Sequence, residues 1–182
     1  MLTKDEKDFL NKIPRDKIVN VSPFDNRITR TVNEIVASIN KIFPDLEIKH
    51  MGASALKISG QNDIDIYAFS KPSDFNKYLP NLVKLFDAPL HQHKTFIEWK
   101  FKRNGFDIEL YLSTKDSETM KRQLTVFRIL SKNDKLLNEY RKLKEDMNGK
   151  SFREYQRKKY EFYHKILDTN SPIGSTIQNE RS

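Results

Sequence analysis

Two aspartates, Asp63 and Asp65, stand one residue apart a short way beyond a turn of small residues, Gly52-Ala53-Ser54. Isoleucines at 64 and 66 alternate with them, so Asp63 to Phe69 reads as a β-strand. Residues two apart on a strand project from the same face. The two Cα atoms then lie about 6.5–7 Å apart. Carboxylates that close repel each other unless a cation sits between them. Oxygen donors without any thiolate point to Mg²⁺ or Mn²⁺. Such a donor set suits chemistry on nucleoside triphosphates.

The turn supplies a second half. Gly52 lets backbone N–H groups approach phosphate oxygens, and Ser54 adds a hydroxyl donor. Lys57 can place a charge on the same phosphates. Ser54 stands nine residues before Asp63, at the end of one strand and just ahead of the next. That position, rather than the tripeptide itself, gives the turn its meaning.

A second pair of acids follows. Asp107 and Glu109 alternate with Phe106, Ile108, Leu110 and Leu112. If the apolar faces share one core, all four acids lie on the opposite face of the sheet. Three of them can surround a metal pair, in which one ion activates an attacking hydroxyl and the other holds the triphosphate and neutralises the leaving pyrophosphate. An amphipathic strand with acids facing water has the same pattern, for Asp107 and Glu109 above all.

The elements that must position these residues are legible from periodicity. A short polar helix is expected over 4–12, ended by Ile13-Pro14. Ser22-Pro23-Phe24-Asp25 reads as a turn ending in an N-cap. Ile28, Val32, Ile35, Val36, Ile39 and Ile42 then recur at helical spacing up to Pro44. Leu46 to Met51 is a first strand and Asp63 to Phe69 a second. Ser73 is placed to cap a helix through Phe86, with Pro80 expected to bend or split it. Phe96 to Lys102 alternates with Ile97, Trp99 and Phe101 on one face. Asn104-Gly105 is the strongest hairpin signal in the chain. Helices are expected near 116–130, 133–148 and 151–168, with Gly149 a C′ residue. From Thr169 the chain has little to bury, and a disordered tail is expected. The layout is α+β, a small mixed sheet flanked by helices with a helical C-terminal third.

The chain has 182 residues, most simply one domain over 1–168. It has no cysteine, which excludes thiolate metal sites and cysteine nucleophiles and suits a reducing cytoplasm. The N-terminus is too charged for a secretory signal, and no apolar run reaches about 18 residues, so no membrane span is expected. A cytoplasmic protein is expected. The net charge is +8, and residues 115–168 carry 15 Lys/Arg against 9 Asp/Glu. These helices have either solvated basic faces or a groove for phosphates.

Gly52-Ala53-Ser54 followed by Asp63-Ile64-Asp65-Ile66 resembles the signature of the DNA polymerase beta-type nucleotidyltransferase superfamily. Within it the chain resembles the GrpB family over about 18–167. The residues that carry the resemblance are Val21-Ser22-Pro23-Phe24-Asp25, His50-Met51-Gly52-Ala53-Ser54-Ala55-Leu56, Phe127-Arg128, Tyr140-Arg141-Lys142-Leu143-Lys144, and Tyr155 with Lys159. It departs from the family where Ala53 replaces a hydroxyl residue, and where two acids on each strand look closer to a complete metal set. The superfamily's last acid usually sits in an apolar–acid–apolar–aromatic run, as in Ile108-Glu109-Leu110-Tyr111. That favours Glu109 as third ligand over Asp107.

The resemblance implies a nucleotidyltransferase core and, with complete ligands, transfer of a nucleoside monophosphate to a hydroxyl acceptor. Asp63, Asp65 and Glu109 would bind Mg²⁺ or Mn²⁺, while Gly52, Ser54 and Lys57 would hold the triphosphate, with ATP the expected donor. Arg128, Lys144 and Lys159 fall on the three C-terminal helices, as surface cations or as groups that close over the triphosphate. The acceptor would be a nucleic-acid end or another hydroxyl compound. A catalytically weak module of the same fold, binding nucleotide or nucleic acid, is the alternative; a purely structural domain is the third reading. His91 and His93 form an H-x-H pair read as polar loop. His50 is either a satisfied strand residue or a group behind the turn.

Overall fold

The computed structural model describes residues 1–169; the expected tail, beyond Thr169 itself, lies outside the described residues. The chain forms two compact units, one from Ser22 to Lys121 and one from Met1–Val21 together with the residues from Arg122 onward.

The first unit is built on one sheet. Its strands are β1 (Glu47–Met51), β2 (Asp63–Phe69), β3 (His91–Gln92), β4 (Phe96–Arg103) and β5 (Phe106–Ser113), in the order β1-β2-β5-β4-β3. Only β2 and β5 run parallel; the other neighbours are antiparallel. The Asn104-Gly105 turn has φ of 54° and 84°, the double positive φ of a type I′ hairpin. It fixes the register of β4 on β5, and alternation then sorts the side chains. Ile64, Ile66, Ile97, Trp99, Ile108 and Leu110 are buried on one face.

Two helices cover that face. Ile28, Val32, Ile35 and Ile39 of α2 (Arg27–Asn40) and Phe75, Leu82 and Phe86 of α4 (Phe75–Phe86) join the strands in one core. A four-residue helix, α3 (Gly52–Ala55), forms the turn after β1. The helix start at the Ser22-Pro23-Phe24-Asp25 turn differs slightly from expectation. Asn26 is the N-cap without a side-chain cap bond, and the Asp25 carboxylate accepts from the Arg27 N–H at 2.8 Å instead. Pro80 does not split α4. Pro80 and Asn76, whose carbonyl loses its donor, are both exposed, so water can satisfy it. His91 lies on the short edge strand β3 rather than in a loop.

In the second unit, α1 (Lys4–Lys12), α6 (Asp134–Asp146) and α7 (Phe152–Thr169) accompany the greater part of α5 (Glu118–Leu130). Gly149 has φ +75°, and its N–H donates to Val19 O at 2.8 Å. The segment before Ser22 thus pairs with the α6–α7 turn, over a small core of Val19, Met147 and Tyr155. Among the described residues no helix is long and apolar enough to cross a membrane.

The α1–α7 contact contains one ion pair, Glu6 with His164 at 2.8 Å, both side chains largely buried. Burial works against the Glu6 charge, but the His164 ring and the Thr3 N–H outweigh it and hold the carboxyl below its ordinary 4.5. A depressed carboxyl contributes stability that is complete above the unfolded pKa and lost as pH falls through the folded one. Thermal unfolding should therefore show wild type losing stability below about pH 4.5. Glu6→Gln should be less stable than wild type by about 1 kcal/mol at pH 7, with the difference shrinking in acid.

Candidate functional site

Registration of β2 on β5 puts the four acids side by side. Asp63 pairs with Asp107 and Asp65 with Glu109, on the face away from the helices. Neighbouring strands are about 4.8 Å apart, so each pair is within reach of one cation. On the other side of β2, Met51 pairs with Asp65, which brings the turn after β1 to the same place. One layer further along, Tyr67 and Tyr111 are also in register and stack at 4.7 Å.

Gly52 meets Asp65 at close range. A Cβ on Gly52 would fall 2.0 Å from Asp65 Oδ2, and the φ of +75° is itself one that favours glycine. Two constraints thus demand glycine here. The carbonyls of Gly52, Ala53 and Ser54 accept from the N–H groups of Leu56, Ile58 and Lys57. Lys57 is exposed, with φ 56°. Ser22 and Gly60 exchange backbone bonds of 2.7 and 2.9 Å. A narrow cleft follows, lined by Ser22, Phe24, Ile28, Ser54, Asn62 and Asp63 among others. The turn hydroxyl and one acid therefore share a cleft.

Behind the turn, His50 Nε2 lies 2.9 Å from Ser54 Oγ. Burial pushes the His50 pKa down to about 4, so the ring is neutral at pH 7. The structure thereby gives His50 a partner that spacing alone left open.

The later acids carry partners of their own. Lys100 Nζ lies 2.8 Å from Glu109 and 3.5 Å from Glu98. The Tyr111 hydroxyl donates to Glu109 at 2.9 Å and to Glu98 at 3.2 Å. Lys102 pairs with Asp107 at 2.6 Å. Burial opposes the Lys100 charge, yet Glu109 and Glu98 hold its pKa above the ordinary 10.5. Burial, then the Glu109 charge, pushes the Tyr111 phenol upward, so it remains a donor. Among the described residues no three metal-ligating side chains stand together as a ready cluster. The lysines of β4 pair with the acids of β5 from the side.

Glu98, Lys100 and Tyr111 did not emerge from motif spacing. Counting outward from Asn104-Gly105 would have found them, because a two-residue hairpin pairs Lys100 with Glu109 and Glu98 with Tyr111. The remaining predicted cations belong to the other compact unit. Arg128 is exposed on α5. Lys144 is 4% exposed and donates to the Tyr155 hydroxyl at 2.7 Å. The Lys159 ammonium lies 5.6 Å from the Tyr163 ring centre.

The family model described as GrpB protein matches residues 18–169. The chain belongs to the GrpB family. No curated protein matches this sequence. Among solved structures, this GrpB-family chain is similar to GLD-2 in the GLD-2/RNP-8 complex, at 16% identity and a TM-score of 0.53, over 95% of this chain and 67% of that one. It is also similar to Cid1, described with RNA terminal uridylyl transferase activity, at 12% identity and a TM-score of 0.47, over 77% of this chain and 43% of that one. The fold is a nucleotidyltransferase fold, a small mixed sheet flanked by helices.

Gly52→Ala should cost more than about 1 kcal/mol in thermal or chemical unfolding, from the positive φ alone. The clash with Asp65 adds to that. In an Asp65→Ala background the clash term should vanish while the backbone term stays, so the two substitutions are coupled in a double-mutant cycle.

Proposed function

We propose that this protein is a metal-dependent nucleotidyltransferase, acting in the cytoplasm, that moves a nucleoside monophosphate from a nucleoside triphosphate, ATP by expectation, to a hydroxyl acceptor. What supports the reading is the register that sets Asp63 beside Asp107 and Asp65 beside Glu109 on one face, with Asp65 directly against Gly52. Four carboxylates on two neighbouring strands offer the hard oxygen donors that Mg²⁺ or Mn²⁺ prefers. Asp63, Asp65 and Glu109 would hold the ion, with Asp107 the alternative third ligand. When bound, it supplies charge neutralisation at the triphosphate and a lower pKa for the attacking hydroxyl.

The chain's own groups do the rest. Gly52 permits close approach of backbone to phosphate, Ser54 offers its hydroxyl, and Lys57 is free in conformation to reach out to a phosphate oxygen. The acceptor oxygen bonds to the α-phosphorus as the bond to the bridging oxygen breaks. Pyrophosphate leaves, and the acceptor proton passes to solvent. Positioning and electrostatic stabilisation provide most of the acceleration in such in-line transfers.

Lys100 and Lys102 bear on the second reading, a module that binds nucleotide or nucleic acid without turnover. Both already neutralise acids that a cation would need. In the enzyme reading, the ammonium groups give way when the ion arrives.

Thermal shift with Mg²⁺ and ATP separates these readings. Wild type should be stabilised only when both are present, by several degrees at saturating ligand. Asp63→Asn/Asp65→Asn should lose that response. Transfer of α-labelled nucleotide to an acceptor in cell extract then marks the enzyme, and binding without transfer marks the module. No stabilisation by any nucleoside triphosphate would overturn the enzyme reading. Lys100→Met should tighten divalent-ion binding by roughly 5- to 10-fold in calorimetry, since it removes a competing charge about 3–5 Å from the ligands.

A further inference from the structure

The Gly52-Ala53-Ser54 turn has one side-chain hydroxyl, and His50 is bonded to it. A hydroxyl bonded to an imidazole can show a third group either its proton or its lone pairs. Which it shows depends on the ring tautomer. If His50 Nε2 carries the proton, it donates to Ser54 Oγ, and the Ser54 O–H is left to donate elsewhere. If Nδ1 carries the proton, Ser54 spends its O–H on Nε2 and has only lone pairs to offer. Phosphate oxygens are acceptors, so only the first arrangement serves a phosphate.

The strand geometry suits that role. His50 is in register with Ile66, on the helix-covered face of the sheet, whereas the next residue, Met51, is in register with Asp65 on the acid face. The ring therefore comes to Ser54 from the strand face opposite the carboxylates. Ser54 is 6% exposed and lines the cleft it shares with Asp63. A half-buried, neutral ring has one N–H to place and limited solvent to place it in.

We propose that His50 is a positioning residue for nucleotidyl transfer: its Nε2–H donates to Ser54 Oγ and so reserves the Ser54 hydroxyl as a donor to a triphosphate oxygen. This rests on the nucleotidyltransferase reading of the site. His50 itself touches no substrate; it acts through Ser54 alone.

Two measurements on the full chain test it. The first is a long-range ¹H–¹⁵N correlation on histidine-labelled protein at pH 7, with the His50 ring assigned by its loss in His50→Gln. A protonated Nε2 supports the proposal, and a protonated Nδ1 overturns it. The second is Mg²⁺·ATP affinity by calorimetry, with unfolding followed in parallel. His50→Gln, whose amide can donate from nearly the same place, should stay within about 3-fold of wild type. His50→Phe and Ser54→Ala should each weaken binding by about 10-fold, the worth of one charge-assisted hydrogen bond. The double variant should weaken it no further, because both changes remove the same donor. Additive losses in the double variant would overturn the positioning role, as would a His50→Phe that binds like wild type. Failure of the wild type to bind any nucleoside triphosphate would instead overturn the proposed function together with the phosphate role of Ser54.

Discussion

Everything at the candidate site depends on the parallel register of β2 against β5. Side chains alternate with a period of two, so a slip of one residue would send Asp65 into the core and Ile66 onto the acid face. Burying an unpaired carboxylate costs several kcal/mol, and the core of Ile64, Ile66, Ile108 and Leu110 forbids it. The hydrophobic effect thus sets the position of the acids without touching them. The antiparallel β1 adds the other constraint, since Met51 opposite Asp65 delivers the chain to Gly52 beside that carboxylate. A turn and an acid thirteen residues apart in sequence become neighbours through ordinary sheet pairing.

The acid face is also a charge balance. Two neighbouring pairs of carboxylates would repel, and β4 answers with Lys100 and Lys102 directly across from Glu109 and Asp107. Both ammonium groups remain about half exposed or more. Exposed pairs of this kind contribute little to stability, typically below about 1 kcal/mol. They are therefore inexpensive to break, which is compatible with a site that exchanges an internal cation for an external one. On β1 the residue in register with Asp65 is Met51.

Much of this was legible in the sequence because its signals were local. The alternation of Asp63 to Phe69 and of Phe106 to Leu112 gave both strands, and Asn104-Gly105 gave the hairpin. The three C-terminal helices followed from periodicity and from Gly149. The pairing of β2 with β5 was not legible, since strand order is a property of tertiary packing and no short-range signal encodes a parallel neighbour. Pro80 leaves α4 unsplit because an exposed proline in mid-helix loses one bond that water can replace. His50 was undecided because its meaning lies in a hydrogen bond to Ser54, four residues on and around a turn. The Glu98–Lys100–Glu109–Tyr111 network was hidden for a different reason, as charged residues on a strand look alike until register assigns partners.

The most direct measurement of the central claim is anomalous diffraction from crystals grown with Mn²⁺ and a non-hydrolysable nucleoside triphosphate. The arrangement predicts a manganese peak within about 2.0–2.6 Å of carboxylate oxygens from Asp63 and Asp65, together with Glu109 or Asp107, and triphosphate density against Gly52 and Ser54. A well-ordered nucleotide elsewhere on the chain, or an acid face that holds no manganese while Lys100 and Lys102 keep their ion pairs, would contradict it.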